Sequence, residues 1–250
     1  MNVLIIGDSV SVTEESQCKG YFLGDTNYVR LIELKNHTVT NLSVSGQSNQ
    51  KILLKTCIEL SKSDKQYDLI IVQWTTLFRI NFSGGKTIYD STANFSLAGL
   101  SPKLYKYKSF HNTWRKNFIH PRIEILEWLS QIILLETFLK NKGLPFIFIK
   151  IKDNFLADLN KKDWFLSSNE YKSLVLQVDK HPDWEISEIY NEMVRLYESL
   201  NTDNWVNLSS PSWYDIKVDF ADDLQHPGPL SHAKYYNILE NHIRNIGLIF

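Results

Sequence analysis

The sequence predicts an α/β protein: a three-layer α/β/α arrangement, flavodoxin-like, around a mainly parallel sheet of about five strands. Three observations carry that prediction. Short, continuously apolar runs such as Val3 to Ile6 and Leu69 to Val72 fit strands covered on both faces. Those runs alternate with longer segments whose apolar residues recur at helical spacing, the pattern of βαβ units. Glycine or a small polar cluster follows several of the runs, as at Gly7 and Gly46, where a strand must turn out of a sheet.

Each element follows in chain order. VLIIG is the first strand, and YVRLIELKN the first helix, with Val29 and Ile32 on one side. Thr38 to Gly46, rich in β-branched residues, is the second strand. SNQKILLKTCIEL places Ile52, Leu53, Cys57 and Leu60 at helical intervals, and YDLIIVQW is the third strand. Residues 81–121 hold no sustained period and read as a long, aromatic-rich insertion. Ile123 to Lys140 is a long helix stopped by Asn141-Lys142-Gly143, and LPFIFIKI is the fourth strand. Residues 153–184 form a second irregular insertion. SEIYNEMVRLYESL is an amphipathic helix with Ser187 as its cap and Met193 and Tyr197 on its apolar side. NWVNLS offers a short fifth strand, and Ser231 is expected to cap the last helix. One domain is expected to span residues 1–250, with both insertions inside it.

Composition narrows the function. Of 250 residues, 43% are hydrophobic and 22% charged, enough to build a full core. The net charge of −1 supplies no field for nucleic acid or an anionic membrane. The two cysteines, Cys18 and Cys57, form no CxxC pair and suit a reducing compartment. No stretch is long and apolar enough for a membrane span, and no secretory leader is visible, so the expected location is cytoplasmic.

Ligands of an open parallel sheet bind beyond the carboxyl ends of its strands. Gly7-Asp8-Ser9, Gly46 and Gln73-Trp74-Thr75-Thr76 each follow such an end. Near the C-terminus, Asp223 and His226 lie three residues apart, close enough for the carboxylate to orient the imidazole. A serine, a histidine to deprotonate it and a carboxylate to hold the histidine are the parts of a nucleophilic triad. For Ser9 alone, a helix cap is the plainer reading. Asp8 is read as a cap or rim hydrogen-bonding group with no proton-transfer role. Asp222, Asp223, His226 and His232 form a second, metal-ligand reading, which leaves Ser9 unexplained. Trp74, Trp114, Trp164, Trp184 and Trp213 are core candidates, or the walls of a sugar or acyl pocket.

These motifs resemble the SGNH, or GDSL-like, hydrolase superfamily. Gly7-Asp8-Ser9 matches its nucleophile block, and Gly46 in SVSGQSN matches the glycine whose backbone N–H serves the oxyanion hole. Asp223-Leu224-Gln225-His226-Pro227 matches its Asp-x-x-His-Pro block, so the resemblance brackets nearly the whole chain. It implies an esterase or deacetylase with Ser9, His226 and Asp223 as triad, acting on an acyl, and by inclination acetyl, ester of a carbohydrate or small molecule. It implies no cofactor and no metal. The third block departs: no asparagine stands at the strand exit, and Gln73, Thr75 or Thr76 is expected to donate in its place. The alternatives are an impaired module that binds a glycan or protein partner, and an acyltransferase.

Overall fold

A computed structural model of the chain describes residues 1–13, 23–62, 65–75, 80–82, 93–95, 109, 113, 121–151, 186–206, 212–224 and 226–248. The readings of Thr76, of Trp114, Trp164 and Trp184, and of nearly all of both insertions lie outside the described residues.

The elements run β1 (Asn2–Ile6), α1 (Tyr28–Glu33), β2 (Thr38–Asn41), α2 (Asn49–Leu60), β3 (Leu69–Trp74), β4 (Ile80–Phe82), β5 (Ala93–Phe95), α3 (Pro121–Asn141), β6 (Phe146–Lys150), α4 (Ile186–Glu198) and α5 (Pro229–Asn245). The main sheet has the order β2-β1-β3-β6, and every pairing is parallel. Val3 lies opposite Leu69, and Ile71 opposite Ile147.

Alternation along these strands divides the core in two. Val3, Ile5, Leu69, Ile71, Ile147 and Ile149 face Val29 and Ile32 of α1 and Tyr235, Leu239 and Ile243 of α5. Leu4, Ile6, Ile70, Val72, Phe146 and Phe148 face Ile52 of α2, Trp128, Leu129 and Ile132 of α3, and Met193 of α4. Each such aliphatic side chain, fully out of water, stabilises the fold by roughly 1.5–3 kcal/mol. The three-layer α/β/α reading therefore stands in the described residues.

Four details differ from the sequence reading. The second strand stops at Asn41, not at Gly46. There the Asn41 side chain accepts from the Ser43 N–H and donates to the Ser11 carbonyl, which turns the chain out of the sheet. Of the expected fifth strand, Asn204 to Val206 are described and form one parallel bridge, Phe148 to Trp205, while Asn207 to Ser209 lie outside the described residues. At the outer edge of β6, the Phe148, Lys150 and Ile151 carbonyls accept from Val206, Trp213 and Tyr214. Residues 81–121 begin with part of an antiparallel ribbon, β4 paired with β5, where the sequence showed no period. Finally, α4 begins at Ile186, ahead of Ser187, and α5 is capped differently. Its N-cap is Gly228, Pro229 opens the first turn, and Ser231 lies inside it.

Candidate active site

The strand order reverses between β1 and β3, because β2 lies on one side of β1 and β3 on the other. In open parallel sheets the crevice forms at that switch point, beyond the carboxyl ends. Ser9 follows β1 and Thr75 follows β3, so both stand at its mouth.

The turn after β1 is built by close approach. A Cβ on Gly7 would sit 2.6 Å from Gln73 Oε1, 2.7 Å from Gln73 Cβ and 2.9 Å from Ser11 Oγ. Only glycine lets β1 leave the sheet so near β3. The chain then enters a short 3-10 turn, Ser9–Ser11, whose cap is Asp8: its carboxylate accepts the Val10 N–H at 3.2 Å. The cap role that the plain reading gave to Ser9 thus belongs to its neighbour. Asp8 also accepts from Gln73 Nε2 at 3.1 Å and from Thr75 Oγ1 at 2.6 Å. Three donors converge on one buried carboxylate, which is how a buried charge is compensated.

Asp223 and His226 occupy a tight hairpin ahead of α5. Phe220 and Pro227 form an antiparallel bridge, and Ala221 N–H donates to the His226 carbonyl at 2.9 Å. Leu224, at the tip, takes a left-handed conformation with φ 56°, an uncommon one for a branched side chain. That turn brings the acid back on the base: Asp223 Oδ2 lies 2.5 Å from His226 Nδ1, and Asp223 Oδ1 accepts the His226 N–H at 3.0 Å. This orientation directs the other ring nitrogen, Nε2, away from the carboxylate, as a general base requires. Val218, Phe220, Leu224 and Leu230 are all exposed, Leu224 to 78%, and rim the hairpin with apolar surface.

The loop carrying Gly46 is tied to Gly7. The Gly7 carbonyl accepts from the Val44 N–H at 3.2 Å and from Gln47 Nε2 at 3.1 Å. Gly46 has φ 74°, a left-handed conformation that suits glycine. The β3 exit is locked to α2 by a reciprocal pair: Asn49 Oδ1 accepts the Thr75 N–H at 2.8 Å, and Asn49 Nδ2 donates to the Thr75 carbonyl at 3.2 Å.

So the structure brings Asp223 to His226, Gln73 and Thr75 to Asp8, and the Gly46 loop to Gly7. It connects the serine turn to the hairpin through intermediaries. Ser11 Oγ and Tyr28 Oη are 2.5 Å apart, the Tyr28 N–H donates to His232 Nδ1 at 3.2 Å, and His232 lies in the first turn of α5. Burial above all pushes the His232 imidazole down to about 3; the Asp219 carboxylate opposes that and His226 adds to it. His232 is a neutral acceptor within the core. Sequence reading missed Asn49, Gln47 and Tyr28 as organising residues, since their partners lie far along the chain. Trp74 and Trp213 are fully buried, as core residues. Among the described residues no group of three or more His, Cys, Asp or Glu side chains is arranged to hold a metal ion, and no helix is long and apolar enough to cross a membrane.

No family model and no curated protein matches the chain. Solved structures similar to it over nearly their whole length include three proteins. A psychrotrophic esterase, EstA from Pseudoalteromonas sp., inhibited by monoethylphosphonate, has a TM-score of 0.47 and 11% identity, covering 98% of this chain and 97% of its own. TesA has a TM-score of 0.49 and 10% identity over 98% and 99% of the two chains. An acetyl xylan esterase, AlAXEase, has a TM-score of 0.45 and 10% identity over 97% and 100%.

Proposed function

We propose that the chain is a serine ester hydrolase. The observation that carries this reading is the Asp223–His226 pair, 2.5 Å apart on a hairpin joined through His232, Tyr28 and Ser11 to the turn of Ser9. Ser9 Oγ attacks the acyl carbonyl while His226 Nε2 takes its proton. Asp223 holds the ring through Nδ1–H and stabilises the imidazolium. The negative charge on the former carbonyl oxygen is met by the backbone N–H groups of Ser9 and Gly46. As the tetrahedral intermediate collapses, the C–O bond to the alcohol breaks and His226 returns the proton to the leaving oxygen. Water, deprotonated by His226, then attacks the acyl carbon; the C–O bond to Ser9 breaks, His226 returns the proton to Ser9 Oγ, and the carboxylic acid leaves.

The substrate is an acyl ester of a carbohydrate or small molecule, with acetyl as the first candidate. The exposed apolar rim of Val218, Phe220, Leu224 and Leu230 favours a second reading, an ester with a longer acyl chain. The test is fluorophosphonate labelling read by intact mass and peptide mapping, beside hydrolysis of p-nitrophenyl acetate, butyrate and octanoate. One adduct at Ser9, absent in Ser9→Ala and strongly slowed in His226→Ala, supports the hydrolase. Failure of the wild type both to label and to hydrolyse any of the three esters overturns it.

A further inference from the structure

The hairpin that carries Asp223 and His226 is fastened at its base by residues that take no part in the proposed chemistry. The Asp219 carboxylate accepts the Leu230 N–H at 2.9 Å, the Ser231 N–H at 2.7 Å and Ser231 Oγ at 2.5 Å. The α5 N-cap, Gly228, has no side chain to do this, so Asp219 caps the helix from nine positions upstream. The same side chain governs the closing leg of the hairpin. A Cβ on Gly228 would sit 2.6 Å from Asp219 Oδ2, and the Gly228 N–H donates to the Asp219 carbonyl at 3.1 Å. Ser231 completes the clamp from within the helix. It is fully buried, and its hydroxyl oxygen accepts the N–H groups of Val218 at 3.0 Å and Asp219 at 3.1 Å. Both legs of the hairpin are therefore bonded to one helical turn. The next residue on that turn, His232, connects it through Tyr28 to Ser11, in the turn that begins with Ser9.

Resting on the ester-hydrolase reading, we propose that Asp219 is a positioning residue: with Ser231 it fixes the Asp223–His226 hairpin on the first turn of α5 and so sets where His226 meets Ser9. Asp219 touches neither the substrate nor the reacting atoms. It acts by holding the segment that carries His226, a hairpin with a left-handed tip, in a single place. Catalysis is sensitive to such placement, because a shift of about 1 Å in a reacting group can cost about a hundredfold in rate.

The test is Asp219→Asn, which keeps the volume but turns an amide donor toward N–H and hydroxyl donors. Ser231→Ala is the second variant, in case the first fails to fold. Glu59→Gln, at the far end of α2, controls for lost stability. Two readouts are taken well below Tm. One is ester hydrolysis, where kcat is expected to fall about tenfold to a hundredfold while KM stays within about twofold. The other is the ring nitrogen and Nδ1-proton resonances of His226 by NMR, assigned with His226→Ala. In the wild type these report a ring bonded through Nδ1; in Asp219→Asn or Ser231→Ala they move to those of a solvent-averaged ring. His226 resonances and kcat unchanged from wild type, with only Tm lowered as in Glu59→Gln, overturn the proposal. The NMR arm needs no turnover, so an inactive wild type defeats the hydrolase reading while the position of His226 still decides this one.

Discussion

Asp8 does both things that the sequence reading offered it as alternatives: it caps the turn, and it gathers donors at the end of the third strand. Gly-Asp-Ser was legible as a motif because glycine, acid and hydroxyl are contiguous. The partners of Asp8 were not, since Gln73 lies on β3 and Thr75 just past its end, and both reach Asp8 only once β1 and β3 are paired. Those two side chains were expected to donate to an oxyanion, and here their protons are directed to a carboxylate. Asp8→Ala removes the acceptor shared by three donors in a buried site. It should destabilise the fold by about 1–3 kcal/mol in urea titration and slow fluorophosphonate labelling of Ser9. Gly7→Ala makes a different prediction from the same contact. A methyl 2.6 Å from Gln73 Oε1 must push the two strands apart, at a cost of about 1–3 kcal/mol, with the labelling of Ser9 lost first.

Strands and helices with an apolar period were readable to within a few residues: β1, β3, β6, α2 and α3 stand where the pattern placed them. The readings failed where hydrogen bonds from distant residues set the boundary. Asn41 stops β2 by its own side chain, and Asp219, not Ser231, supplies the cap of α5; neither interaction leaves a period in the sequence. Acid sensitivity should follow from these elements. His232 holds α5 to α1 only as a neutral ring, with its pKa lowered by burial from 6.5 to about 3. The unfolded chain therefore binds this proton first. Its contribution is complete above pH 6.5 and falls by about 1.4 kcal/mol per pH unit below that, down to about pH 3. His232→Gln keeps an acceptor for the Tyr28 N–H and removes the titration. Urea midpoints measured from pH 7 to pH 4.5 should show a shallower acid slope in the variant. Glu59 acts in a lower window. Burial raises its carboxyl, but bonds from Lys62, Lys65 and Tyr67 prevail and hold it at about 2. Its stabilisation persists above pH 4.5 and is lost as pH falls toward 2, so Glu59→Gln should flatten only that part of the acid limb.

Across the whole molecule, the candidate site lies where the strand order reverses, and among the described residues the β6 edge is met by residues 205–206 and 213–214. Trp205 and Trp213 make that edge possible by anchoring on opposite faces. Trp205 packs at 5.3 Å from Phe148 and 6.4 Å from Trp128 in one core, while Trp213 stacks at 4.6 Å on Tyr235 in the other. The N–H groups of Val206, Trp213 and Tyr214 donate to the Phe148, Lys150 and Ile151 carbonyls, which would otherwise face outward. An uncovered strand edge invites pairing with a second chain. Trp205→Ala should therefore show two linked effects. Loss of a buried indole between Phe148 and Trp128 lowers stability by about 3–5 kcal/mol, read by urea titration and near-ultraviolet circular dichroism. Release of the β6 edge makes the variant self-associate under conditions where the wild type does not, read by light scattering at a denaturant concentration that leaves both folded. Tyr235→Leu keeps Trp205 and the β6 edge but weakens the opposite core. If it loses comparable stability and aggregates equally, general destabilisation explains both effects and the edge-covering role of Trp205 is refuted. If only Trp205→Ala self-associates, residues 205–206 shield the β6 edge as well as fill the core.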